Sequence, residues 1–396
     1  MGSSRKLFAA MAAGAVLVCA IAGFAQAPKP VAGSPPAATS PNGTSKSGVS
    51  GVRRAATQKK RGAVGEPEPV GLTPEMRVVL ARMNANSLRA QVSFLASDLL
   101  EGRDSPSRGL DIAAEYLASQ FIRMGLEPVG SEGFFQTVLL KPDDPESPKA
   151  RNVVGLLKGS DPKLADTYII LSSHYDHVGM APTGEDRIFN GANDDASGTA
   201  SVVEVATALA ALHPRPKRSV LFVLFCGEEK GLRGSRYYAE HPLVPLEKTI
   251  AQINLEQTGR TDGTDGPHVG TANVTGFDFS DVTQTLINAG KRVEIAVLKN
   301  DKASDAYFNR SDNGPLARVG VPAHTVSVTY DFPDYHAVTD TWDKLDYDNM
   351  LKVDQAIGLA VLRLATVSTA PKWNVDYPGA KQYVEASKKL HGEPVQ

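Results

Sequence analysis

Cysteine is nearly absent from this chain: its 396 residues include two, Cys19 and Cys226. Cys19 lies in an N-terminal apolar run that reads as removable, so one thiol would remain and no intramolecular disulfide could form. That excludes a disulfide-stapled scaffold but not export, because a core of this size needs no staple. Net charge is also close to absent, at −2. The total therefore offers no electrostatic footprint for nucleic acid or for an anionic membrane. No internal repeat is present, which excludes solenoid and propeller arrays. What remains is ordinary for a globular protein, 42% hydrophobic and 22% charged residues.

The near-zero total hides an asymmetry. Residues 28–73 hold seven Lys or Arg against two Glu, so the negative excess lies in the rest of the chain. This segment is rich in Pro, Ala, Gly and Ser and includes the basic run Lys59-Lys60-Arg61. Such a composition cannot bury enough apolar area to offset its ordering entropy, which predicts a disordered linker. Before it, Arg5-Lys6 precedes the apolar run Leu7–Phe24, and Ala25-Gln26-Ala27 offers small residues for cleavage. Residues 1–27 read as a secretory signal peptide, with an uncleaved membrane anchor as the alternative because the run could span a bilayer. The expected location is exported, periplasmic or secreted, without stable membrane insertion after cleavage.

Residues 74–396 read as one domain. Thr73-Pro74-Glu75 is a cap followed by Pro at the first helical position, and helices are expected over 74–100 and 108–125. Strands are expected over 152–158, 168–173, 219–225, 249–255, 293–298 and 323–328. Helices are expected over 200–212, 232–240, 280–289 and 348–366. This alternation predicts an α/β fold, a three-layer α/β/α sandwich with a mixed, largely parallel central sheet. The six consecutive apolar residues Val220–Phe225 mark a strand buried on both faces.

Directly after that strand stand two adjacent acids, Glu228 and Glu229. In open α/β sheets ligand sites gather at the carboxyl ends of strands. Adjacent acids there repel each other and lose hydration unless a cation offsets them. Other candidate ligands follow other strands or sit in loops beside them: His174, Asp194, Glu256 and His336. Imidazole and carboxylate are both good zinc ligands, and one carboxylate can bridge two ions, so the set suits a hydrolytic zinc pair. The His174-Tyr175-Asp176 spacing suggests Asp176 as the carboxylate that fixes the imidazole tautomer. His177 reads as a supporting or loop residue. His213, His241, His268, His324 and His391 read as packing or surface residues, and Cys226 as a small buried hydrophobe.

Five motifs together carry a resemblance. They are His-Tyr-Asp at 174–176, Gly-Ala-Asn-Asp-Asp-Ala-Ser-Gly at 191–198, Glu-Glu-Lys-Gly-Leu-Arg-Gly-Ser at 228–235, Ile-Asn-Leu-Glu at 253–256, and Tyr-His-x-x-x-Asp-Thr at 335–341. In order and spacing the chain resembles the M28 family of zinc peptidases, the co-catalytic dizinc aminopeptidase type. A lead-in with Leu95-Ala96-Ser97-Asp98, Glu101-Gly102-Arg103 and Gly125-Leu126-Glu127-Pro128 resembles bacterial members. The resemblance implies two Zn2+ ions bridged by Asp194, with a cis peptide to Asp195. It implies His174 and Glu256 on one ion, Glu229 and His336 on the other, Glu228 as general base, and Tyr335 beside the oxyanion. The substrates it implies are peptides. Two departures stand out. Many members carry Asp where this chain has Glu256, and the longer arm changes how a substrate α-amine is held. Only Lys141–Ala150 stands where some members insert a protease-associated domain, so no insert is expected. An exopeptidase releasing N-terminal residues is the first expectation. A carboxypeptidase or dipeptidase reading a terminal carboxylate with Arg310 is the second. A single-zinc glutaminyl cyclase and a metal-free receptor are the others, and the complete ligand set argues against both.

Overall fold

The computed structural model describes residues 66–394. The expected signal peptide and most of the expected linker lie outside the described residues. Residues 66–73, which composition assigns to the linker, lie against the folded chain: Glu68 pairs with Arg292 and Arg363, and Arg363 donates to the Glu66 carbonyl.

Eight strands build the central sheet: β1 (Phe135–Leu139), β2 (Lys149–Leu157), β3 (Tyr168–His174), β4 (Ser219–Phe225), β5 (Thr249–Leu255), β6 (Thr271–Val274), β7 (Ala296–Leu298) and β8 (Ala323–Ser327). Glu127–Pro128 adds a two-residue pairing on β2. From β2 the order runs β2-β4-β3-β5-β8-β6-β7, with β1 also on β2. The centre, β4-β3-β5-β8, is parallel. Antiparallel pairings of β2 with β4 and of β8 with β6 flank it. The sheet is therefore mixed, with its parallel part where the site residues emerge.

Strand β4 shows why helices cover both faces. Its seven residues are all buried. Val220, Phe222 and Leu224 point into one apolar cluster, and Leu221, Val223 and Phe225 into a second, the period-two alternation of a strand with no solvent face. The first cluster packs under α1 (Pro74–Arg82), α2 (Ala85–Leu95), α3 (Arg108–Met124), α4 (Gly198–Ala210), α6 (Val282–Gly290) and α8 (Tyr347–Thr366). The second packs under α5 (Arg233–Glu240), α7 (Asn313–Arg318) and α9 (Lys381–Leu390).

The continuous helix expected over 74–100 is broken in the structure. Asn84 leaves the helical conformation and its Oδ1 accepts from Ser87 N at 2.9 Å, capping α2. A 3-10 turn over Asp98–Arg103 follows. Among the described residues no helix is long and apolar enough to cross a membrane.

Candidate metal centre

The parallel register sets the floor of the site. His174 pairs with Phe225 across β3 and β4, and Ser172 pairs with Asn254 across β3 and β5. His174, Glu228-Glu229 and Glu256 therefore leave the sheet along one edge, at the carboxyl ends of adjacent strands. Gly227 makes the turn after β4 with a φ of +67°, a conformation that a side chain disfavours. Two loops complete the site. Residues 191–197 enter α4 and bring Asp194, and the segment after β8 brings Tyr335 and His336.

Each of these loops is tied down by a carboxylate. Asp340 accepts from the backbone of Asn193 and Asp194 at 3.0 and 3.1 Å. Asp195 Oδ1 accepts from Gly198 N and Gln257 N, both at 3.0 Å, linking the start of α4 to the end of β5. Gly198 is needed here, since a Cβ would lie 2.5 Å from Asp195 Oδ1 and 2.7 Å from the Leu255 carbonyl. The Asp194–Asp195 peptide is cis. Asp176 holds two parts of the site: Oδ1 accepts from Glu228 N and Oδ2 from Ser105 Oγ, both at 3.1 Å. His174 Nδ1 lies 3.2 Å from the Asp176 carbonyl and 3.7 Å from its Oδ1. A proton on Nδ1 then leaves Nε2 free to ligate.

The possible ligand atoms form two groups that share Asp194. One contains His174, Asp194 and Glu256; the other contains His177, Asp194, Glu229 and His336. His174 Nε2 is 3.4 Å from Asp194 Oδ1. His336 Nε2 is 3.1 Å from Asp194 Oδ2 and 3.2 Å from Glu229 Oε1. His177 Nδ1 is 3.0 Å from the same Glu229 oxygen. From sequence alone His177 reads as a supporting or loop residue. In the structure it is fully buried and stands among the possible ligands. Its place after His174 was the one available signal. Asp340 was visible only as part of a motif, without a role.

The electrostatics fit a cation. Burial works against the charge of Asp194, but the His174 and His336 imidazoles facing it outweigh burial and hold the carboxyl well below its usual range. The same two carboxylates, Asp194 and Glu229, push His336 up to about 10. Burial, together with neighbouring acids, pushes Glu228 well above the usual carboxylate range, and Glu256 is raised for the same reasons. His174 Nε2, both ring nitrogens of His177, Glu229 Oε1 and Asp195 Oδ2 are buried without a hydrogen-bond partner. Orphaned imidazole nitrogens and carboxylate oxygens facing one another are a donor set that zinc would satisfy.

A cleft of about 440 Å³ opens over this edge, lined by Glu228, Glu256, Tyr307, Arg310, Tyr330 and Tyr335 among others. Tyr335 is 39% exposed and stacks on the His336 ring at 4.1 Å. Arg310 lies over the Tyr307 ring at 4.5 Å and makes no ion pair among the described residues. Cys226 and His324 match their expected packing roles. Burial raises the Cys226 thiol. Burial lowers His324 to about 4 where its ring meets Ser280 Oγ at 2.6 Å.

Known proteins resemble this chain in sequence and in fold. The model of peptidase family M28 matches residues 152–361. A probable zinc metalloprotease of Pyrenophora tritici-repentis is 32% identical over 198 residues, 48% of this chain and 45% of that protein. The match thus spans less than half of that relative's length. Among solved structures, the LapA aminopeptidase of Legionella pneumophila superposes with a TM-score of 0.57 at 19% identity, covering 76% of this chain and 78% of its own. A glutaminyl cyclase of Bacteroides thetaiotaomicron superposes with a TM-score of 0.54 at 18% identity, covering 71% and 98%. The fold is common to both, so fold alone does not choose the reaction.

Proposed function

We propose that this chain, which belongs to peptidase family M28, is a two-zinc exopeptidase that releases amino acids from the N-terminus of peptides. The observation that carries the reading is Asp194, shared between two groups of orphaned imidazole and carboxylate donors at the mouth of one cleft. His174, Asp194 and Glu256 would hold one ion, and Asp194, Glu229 and His336 the other. When bound, zinc lowers the pKa of the attacking water and polarises the scissile carbonyl.

The chain's own groups supply the rest. Glu228 lines the cleft beside Glu229, and its backbone is fixed by Asp176. Its raised carboxyl suits a group that takes a proton from the attacking water and returns it to the leaving amine. Tyr335 stands at the rim, where its hydroxyl can donate to the developing oxyanion. Asp176 keeps His174 in one tautomer, and Asp195 keeps the Asp194 loop against β5. Asp331, the acid of the cleft wall left over from metal and proton transfer, favours a substrate α-ammonium over a terminal carboxylate.

A second reading rests on Arg310, a cation on the cleft wall with no anionic partner among the described residues. It would receive a terminal carboxylate, making the protein a carboxypeptidase or dipeptidase. One peptide blocked at either end, incubated with the zinc-loaded protein and followed by mass spectrometry, separates the two. Cleavage that stops on N-acetylation supports the first reading. Cleavage that stops only on C-terminal amidation transfers the assignment to the second. We further propose that the chain is exported after removal of residues 1–27. Recovery of the cell-associated protein with those residues intact would contradict this.

A further inference from the structure

The five-ligand reading leaves one buried imidazole with nothing to do. His177 is fully buried and neither ring nitrogen has a hydrogen-bond partner. Its Nδ1 lies 3.0 Å from Glu229 Oε1, yet that oxygen is also without a hydrogen bond, so the two atoms are close without being aligned on each other. Atoms that are near but not aimed at one another can instead share a third point. Donors 2.0–2.1 Å from a tetrahedral zinc stand roughly 3.3 Å apart. Around Glu229 and Asp194 the corresponding separations are 3.0 Å (His177–Glu229), 3.2 Å (His336–Glu229), 3.1 Å (His336–Asp194) and 4.0 Å (His177–Asp194).

The chain also keeps a seat for this ring. Gly191 has a φ of +58°, and a Cβ there would fall 2.5 Å from His177 Cγ and Cδ2. His177 N donates to the Arg103 carbonyl at 3.2 Å. The Arg103 guanidinium in turn donates to the carbonyls of Tyr175, Asn190 and Gly191. The ring is thereby clamped between its own loop and the one that carries Asp194. His336 meets it edge-on, with centroids 5.4 Å apart.

We propose that His177 is a third imidazole ligand of the metal centre and that it makes the two halves unequal. This rests on the two-zinc reading above. The half built from His177, Asp194, Glu229 and His336 has four protein donors, two of them imidazole, the closed complement of a retained zinc. The half built from His174, Asp194 and Glu256 has three donors and one imidazole. It keeps the open position typical of a catalytic zinc. The first half fills first and holds its ion; the second fills later and exchanges.

The test uses the full chain stripped of metal and titrated with Zn2+ alone. Binding is expected in two resolved steps. Nitrogen NMR of 15N-histidine-labelled protein is expected to show imidazoles bound in the first step at His177 and His336 and a third, His174, in the second. H177A is expected to weaken the tighter step by at least the roughly 10–100-fold that loss of an outer partner costs, and H174A the weaker step alone. Two bound zinc ions with only two shifted imidazoles would overturn the proposal, and that measurement needs no substitution. Two unchanged binding constants in a folded H177A would also overturn it. Absence of any zinc uptake by the unsubstituted protein would instead overturn the two-zinc reading itself.

Discussion

Glu228 and Glu229 are neighbours in sequence and differ in what faces them. Glu229 Oε1 has imidazole nitrogens at 3.0 and 3.2 Å, and these pull its carboxyl down against burial and the nearby Asp194. Burial dominates at Glu228 and pushes its carboxyl up. A ligand must stay charged, and a proton carrier must be able to hold a proton. Glu228→Gln should therefore keep its bound metal while kcat falls by about 10²–10⁴-fold, checked by metal analysis beside steady-state kinetics. A buried acid away from the cleft offers a cleaner pH test. Asp354 of α8 faces the Ser201 hydroxyl and Glu204, and burial pushes its carboxyl well above the usual range. The native state then holds more protons than the unfolded chain between the two pKa values, so stability falls as pH rises through that window. Asp354→Asn cannot titrate. Its thermal midpoint should match the parent's below about pH 4 and exceed it increasingly towards neutrality. The gain should be of the order of 1 kcal/mol or more, since one pKa unit is worth about 1.36 kcal/mol. At this scale the sequence was most legible where residue type and position agreed, as at His174 and Glu229. It was least legible at His177, because a histidine in a loop has no periodicity, and only the fold reveals that Gly191 has cleared space for it.

Arg103 acts between elements rather than at a site of its own. It ends the turn after α2 with a φ of 48° and is almost wholly buried. Its guanidinium donates to carbonyls of Leu95, Tyr175, Asn190 and Gly191, joining α2 to the loop after β3 and the loop before α4. It also supplies a fixed positive charge near Asp176, Asp340, Asp195 and Asp194. Arg103→Met should cost at least about 3 kcal/mol, since several buried carbonyls each lose a donor worth roughly 1 kcal/mol. Zinc affinity should weaken with it; denaturant unfolding and metal titration measure the two effects. Glu101-Gly102-Arg103 was visible as part of a lead-in motif, but its partners lie 8, 72, 87 and 88 residues away, which no local pattern encodes. The same limit explains the elements that pattern reading missed. Strand β6 holds Thr271 and Asn273, and the Asn273 side chain donates to the Val328 carbonyl, so its polar residues serve the sheet without apolar alternation. Helix α7 contains Gly314 and Pro315, residues that read as breakers, although Pro is tolerated in a first turn where its missing N–H costs nothing. Strands β4 and β5 were legible to the residue because β4 is a continuous apolar run after Ser219, and β5 alternates Ala251, Ile253 and Leu255 with Gln252 and Asn254.

For the whole molecule, two helix layers clamp a sheet whose parallel centre delivers one His and three Glu along a single edge, and three loops add His177, Asp194 and His336. The sandwich follows from the alternation of strand and helix patterns, and from a β4 with no polar face. Folding assembles the acidity of the finished edge, because Asp194-Asp195, Glu229 and Glu256 come from three separate segments. These acids have imidazoles and backbone donors facing them but no Lys or Arg ion pair among the described residues, which makes a metal the missing counter-charge. The most direct measurement titrates the metal-stripped protein with zinc while following release of the first residue from an unblocked peptide. No release is expected without metal, then a rise that saturates at two zinc ions per chain, and no release from the N-acetylated peptide. Undiminished release from the metal-free protein, or saturation at a single ion, would contradict the two-zinc reading.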